Sequence, residues 1–236
     1  MQEECFQDCY ASLSLAQDRL VLGNSRIERV FRWNHGHLIS LAITDKEGGT
    51  TWPLAAIHPD SEFPGEAPPR EGSLTAETFA GNAYIPPHLR VWVTTRLGEL
   101  FIKRRFRIYP HTPAVGCDYY LKGKPVGSWT ACGVPVSELS QLENAAAAVE
   151  GNMQHVTVER IHTTLPHPRF QSIQFMDVTD RRNNLVIAYP NRLSYRTPQT
   201  VAGQLLLVSD SLSERQLFIL KEAPCTDVQL AGDGYD

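Results

Sequence analysis

An all-β fold built from two large antiparallel sheets, with one or two short helices, is what this sequence predicts. Three observations carry that reading. Apolar residues alternate with polar ones at period two through most of the chain, which is the signature of strands with one buried face. Residues that favour turns interrupt these runs at short spacing, as in a β-sandwich. No repeated strand-helix alternation occurs, so the chain is not a (β/α)8 barrel, which needs about 250 residues on its own. The 236 residues suffice to bury a large core, and residues 1–236 read as a single domain.

The elements follow in order. Tyr10 to Leu15 and Arg19 to Leu22 are strand-like, and Cys5-x3-Cys9 alternates in phase with a strand. RIERVFRWNHGHLISLAITDK reads as a hairpin, with Asn34-His35-Gly36 supplying residues that tolerate positive φ. Asp45 to Gly49 marks the next turn. Four prolines between His58 and Gly72 make that stretch a long surface loop rather than a domain linker, because β-like sequence resumes beyond it. In HLRVWVTTRLGELFIKRRFRIYP, Leu89, Val91 and Val93 alternate with Arg90, Trp92 and Thr94. Beyond Gly98, Leu100, Ile102, Phe106 and Ile108 share one face, which predicts a hairpin turning at Leu97-Gly98-Glu99.

Asp118 to Leu121 continues the series. Ser137 to Val149 is the helix candidate: Leu139, Leu142, Ala146 and Val149 fall on one face, Ser137 can cap, and Gly151-Asn152 can stop it. The remaining strands are His155 to Thr163, Phe170 to Val178, Leu185 to Ser194, Val201 to Val208 and Gln216 to Leu220.

Composition limits the function. A net charge of −4 gives no general attraction to nucleic acid. In the one basic run, Lys103 to Arg107, strand alternation divides the charges between two faces, so a solvated face with one cation reaching an acidic partner is the expectation. No apolar run reaches the 18 residues that a membrane-spanning helix requires. The start, MQEECFQDCY, has neither the basic nor the apolar region of a signal peptide. It also fits a start methionine in place of a cleaved leader, which would make the native home periplasmic or extracellular. Five cysteines form no zinc or redox spacing and leave at least one thiol unpaired. His35-x-His37 straddles the proposed turn glycine and has no carboxylate at ligating spacing, so neither a metal nor another cofactor is expected.

The candidate chemistry centres on MDVTDRRNNLV, residues 176–186. A retaining glycosidase needs two carboxyl groups about 5–5.5 Å apart. Asp177 and Asp180, three apart, point to opposite sides of an extended strand and converge only if the chain turns between them. Asp180, Arg181, Arg182, Asn183 and Asn184 have the composition of a turn, and two readings stay open: a loop that bonds its own backbone, or a loop that touches a ligand or another domain. Trp129, in a Gly/Pro-rich stretch, is the best candidate for an exposed ring on which a sugar could stack. G-x-S-x-G, the P-loop, G-x-G-x-x-G after a strand and H-E-x-x-H are all missing from the sequence, and no catalytic residue is assigned.

Three stretches share a further property. NSRIERVFRWNHGHLISLAITDKEGGTTW, MDVTDRRNNLV and LFILKEAPCTDVQL, in that order and spacing, resemble the N-terminal portion of α-galactosidase-like enzymes of glycoside hydrolase family 36. The resemblance implies a galactose-mutarotase-like β-supersandwich that packs on a following (β/α)8 barrel, the bearer of the catalytic aspartates. It further implies an α-galactoside-type carbohydrate as the substrate of the parent enzyme, assigns Asp180, Arg181, Arg182, Asn183 and Asn184 to a rim or interdomain loop, and makes residues 221–236 the start of a linker into that barrel. No barrel motif matches a residue of this chain. Two alternatives stay open: a free-standing carbohydrate-binding module using Trp129, and a mutarotase-type aldose epimerase drawing its acid and base from His155 or His162 with Asp177 or Glu159.

Overall fold

The computed structural model describes residues 2–54, 58–61, 63, 66–123, 129–131, 154–156, 168–175, 186–193, 205–210 and 215–220. They form strands, joined by turns and irregular loops, and one short 3-10 helix, Leu15–Gln17. The fold is all-β, with its strands divided between two compact units.

In the first unit, strands β1 (Gln2–Phe6), β2 (Cys9–Ser14), β3 (Arg19–Gly23), β4 (Ile27–Arg32), β5 (Ile39–Asp45) and β6 (Thr50–Pro53) form a six-stranded antiparallel meander in sequence order. A second meander contains β7 (Glu71–Phe79), β8 (His88–Leu97), β9 (Leu100–Ile108) and β10 (Val115–Gly123). Within each meander, consecutive strands pair, because short connections make antiparallel hairpins the cheapest closure. β11 (Trp129–Ala131) and β12 (Gln154–Val156) form a small parallel pair.

The hairpin turns follow the sequence signals. Gly98 adopts φ +62° between β8 and β9. Between β4 and β5, His35 (φ +49°) and Gly36 (φ +77°) turn the chain, and the His37 N–H donates to the Asn34 carbonyl at 2.8 Å. A side chain at Gly36 would collide with the Thr94 carbonyl of β8, so the glycine also lets this turn approach the second sheet. Asp45 Oδ1 accepts from the Glu47 and Gly48 N–H groups, each at 3.0 Å, and closes the turn before β6.

Alternation then builds a sandwich. Ala11 and Leu13 of β2, Leu20 and Leu22 of β3 and Phe31 of β4 pack against Leu89, Val91 and Val93 of β8 and Phe106 and Ile108 of β9. The Phe31 and Phe106 rings meet across the two sheets with centroids 5.4 Å apart. A second cluster joins Phe63, Leu97, Leu100 and Ile102. The inward positions of β9 are Leu100, Ile102, Arg104, Phe106 and Ile108, so one arginine interrupts an otherwise apolar row.

The second unit contains a sheet of order β14-β13-β15-β16, made of β13 (Pro168–Phe175), β14 (Val186–Leu193), β15 (Leu205–Asp210) and β16 (Gln216–Leu220). Among the described residues β14 is an edge strand, and it carries Pro190, which has no N–H to donate. The β13–β14 register shifts between Phe170 and Ser172, opposite this proline. The irregularity absorbs the missing ladder bond.

Several expectations are corrected. Cys5 and Cys9 are not on one strand: Gln7, at φ +54°, turns the chain between them, leaving Cys5 exposed on β1 and Cys9 buried on β2. Strands β6 and β7 escape period-two reading because Thr-Thr-Trp-Pro is short and because β7 is exposed at most positions. The stretch from His58 is not wholly a surface loop, since Asp60, Ser61 and Phe63 are buried. The helix expected at Ser137 to Val149 and the segment 221–236 lie outside the described residues.

Candidate functional site

Of the residues assigned from sequence, Asp180, Arg181, Arg182, Asn183 and Asn184 lie outside the described residues, as do Asp177, Glu159 and His162. The backbones of Trp129 and His155 fall on the paired strands β11 and β12, where Trp129 lies opposite Gln154 and Thr130 opposite His155. The described residues assemble different chemistry, in three places.

The first is a buried ion pair. Arg104 projects from β9 toward the first sheet, and its Nη1 lies 2.7 Å from Asp60 Oδ2, with side chains 6% and 1% exposed. Ser40 completes the carboxylate's shell: its Oγ donates to Oδ2 at 2.8 Å and its N–H to Oδ1 at 2.7 Å. Ser40 lies beside the β4–β5 register shift, where its N–H turns to this side-chain acceptor. The guanidinium lies over three rings, Phe106 at 4.7 Å, Tyr119 at 5.0 Å and Phe31 at 5.3 Å, and its Nε donates to Cys117 Sγ at 3.0 Å. A charge this deep requires such company, because the cost of desolvation is several kcal/mol for each unpaired ion.

The second is a shallow cleft of about 380 Å³ beside that pair. Its polar lining includes Asn34, His37, Ser61 and Glu66, and its apolar lining includes Phe63 and Leu97. His37 Nε2 lies 2.7 Å from the Ser61 carbonyl, so that nitrogen carries the proton and donates. Burial holds the His37 imidazole below its ordinary pKa of 6.5, against the opposing pull of this hydrogen bond and of Asp60. The neutral ring therefore ties the β4–β5 turn to the segment holding Asp60. The Asp60 N–H strengthens the tie by donating to the Leu38 carbonyl at 2.9 Å.

The third joins three hairpin turns. Asp8 Oδ2 accepts from Ser25 Oγ at 2.5 Å, Ser25 N at 3.0 Å and His111 N at 3.1 Å, and lies 3.2 Å from His111 Nδ1. Burial pushes the Asp8 carboxyl up, but the Ser25 and His111 hydrogen bonds outweigh it and lower the pKa to about 2. Serine, histidine and aspartate in contact invite comparison with a nucleophilic triad. The geometry differs: a triad uses both ring nitrogens in relay, whereas here Nδ1 alone faces Asp8 and Ser25, and the hydroxyl donates directly to the carboxylate. This constellation fastens turns and leaves the serine unactivated.

The outer face of β9 shows what becomes of the basic run. Arg105 Nε lies 2.8 Å and Arg107 Nε 3.1 Å from Asp118 Oδ2 on β10, while Lys103 lies 4.2 Å from the centroid of the Trp92 ring. Sequence reasoning placed one cation with an acid; the structure pairs Arg104 inside and two more outside. A signal for the inner pair was present, since position 104 occupies the core phase of an apolar strand and an arginine there requires a buried anion. Among the described residues, no three His, Cys, Asp or Glu side chains cluster as metal ligands. Comparison with protein-family models, curated proteins and solved structures finds no match to this chain.

Proposed function

We propose that this chain is a noncatalytic β-sandwich domain of a carbohydrate-active enzyme, one that packs on and helps shape the entrance of a separate catalytic domain. The observation that carries the noncatalytic part is the fate of the buried acid. Asp60, the most enclosed carboxylate described, is 1% exposed and is held by Arg104 and two Ser40 donors. Polar side chains elsewhere serve the framework in the same way: beside Asp60, His37 holds a backbone carbonyl, and in a separate place Asp8 fastens turns. The carbohydrate part rests on the likeness of the three sequence stretches to α-galactosidase-like enzymes, with Asp180 to Asn184 as the proposed rim loop.

Two measurements test the reading. Purified chain should release no nitrophenol from a nitrophenyl α-galactoside, and turnover that scales with its concentration would refute the noncatalytic role. In extracts of the source organism, an antibody raised against the chain should detect a product larger by a barrel of about 250 residues. A product of the chain's own size would sink the parent-enzyme reading. Calorimetric binding of galactose that disappears in Trp129→Ala would favour the binding-module alternative instead.

A further inference from the structure

The Asp60 carboxylate is met by donors that belong to the two sheets of the sandwich. Three donors converge on it from two directions, Arg104 Nη1 and Ser40 Oγ on Oδ2 and Ser40 N on Oδ1, all between 2.7 and 2.8 Å. Each donor is held by groups other than Asp60. Arg104 belongs to β9, paired on both sides by β8 and β10, and its guanidinium is fixed by Cys117 Sγ and by the Phe106 and Tyr119 rings. Ser40 belongs to β5, and its Oγ also receives Arg29 Nη2 at 3.4 Å. Asp60, in contrast, comes from a segment whose described residues form no strand.

We propose that Arg104 and Ser40 form a preorganised carboxylate-binding site, which Asp60 fills as a tethered ligand and which accepts a small free carboxylate once the Asp60 side chain is removed. The site is independent of the carbohydrate reading. Its selectivity follows from its shape. Donors on both oxygens of a planar group suit a carboxylate, and a single halide ion cannot bridge them as two oxygens do. Burial supplies the affinity, because an empty site leaves a desolvated guanidinium without its counter-ion.

The test is chemical rescue in the full 236-residue chain. Asp60→Ala removes the carboxylate and leaves a gap the size of formate; Asp60→Gly leaves one that also admits acetate. Sodium formate at about ten times its dissociation constant should raise the melting temperature of Asp60→Ala by about 3–6 °C. Sodium chloride at equal ionic strength should not, and wild type, its site already filled, should respond to the two salts alike. Arg104→Met combined with Asp60→Ala should abolish the difference. Should Asp60→Ala not fold in buffer, refolding yield gives the same readout: recovery in formate alone supports the site, and no recovery overturns it. Equal stabilisation by formate and chloride, or a formate effect that survives Arg104→Met, also overturns it.

Discussion

Arg104 and Arg105 are neighbours on one strand with the same side chain, and they face opposite environments. Arg104 points into the sandwich and meets Asp60 at 2.7 Å with almost no exposure; Arg105 points outward and meets Asp118 at 2.8 Å with its side chain 23% exposed. The distances are nearly equal, so geometry alone does not separate them. The surrounding medium does. Inside, no water replaces a lost partner, so removing one ion strands the other. Outside, solvent screens the pair and takes over when it breaks.

The largest test of this contrast is Arg104→Met, which leaves Asp60 buried without its cation. It should cost about 3–5 kcal/mol, read as a fall in the denaturant midpoint. Adding Asp60→Leu removes the stranded charge and should recover a large share of the loss. If the double variant is no better than the single, the penalty lies in packing around the guanidinium and not in the uncompensated ion.

Next in size is the response to acid. His37 and His88 are both buried, and burial lowers the pKa of each from 6.5. At His88 the Nδ1 hydrogen bond to the Pro86 carbonyl at 2.9 Å pulls toward the charged ring, but Nε2 accepts from Arg90 Nε at 3.3 Å and the Arg90, Arg107 and Arg105 charges oppose protonation, so the ring stays neutral. In the unfolded chain these rings take up protons near pH 6.5, while in the folded chain they resist. Their stabilising effect is therefore complete above pH 6.5 and declines as the pH falls toward the lowered folded values. Melting temperature should drop between pH 7 and pH 5, and His37→Gln should flatten part of that slope. A wild-type profile with no slope over this range would show that neither ring is held neutral.

The smallest effect belongs to the outer face. Arg105→Gln should cost under about 1 kcal/mol and lose even that at high salt. A cost matching that of Arg104→Met would erase the distinction between the two faces.

Local features were legible in the sequence because they depend on nearest neighbours. Alternation of Leu89, Val91 and Val93 with Arg90, Trp92 and Thr94 marked β8, and Gly98 marked the turn into β9. The same reading erred at Cys5 and Cys9, since their spacing fits a single strand and nothing local announces that Gln7 takes a left-handed conformation. It also treated the proline-bearing segment after His58 as surface, because prolines forecast a lack of strand and say nothing about depth. The residues assigned to a rim loop, Asp180 to Asn184, were chosen for turn composition and family likeness, and the constellations found among the described residues lie elsewhere: Asp60 with Arg104, and Asp8 with Ser25 and His111.

Sequence by itself determined that this chain makes strands, where most of them turn, and that position 104 puts a cation on an apolar face. Only the tertiary structure decided which acid meets that cation, from 44 positions away. The physical reason lies in range. Backbone conformation and side-chain alternation are set by adjacent residues, whereas the need of a desolvated charge for a counter-ion arises only once two sheets have closed over it.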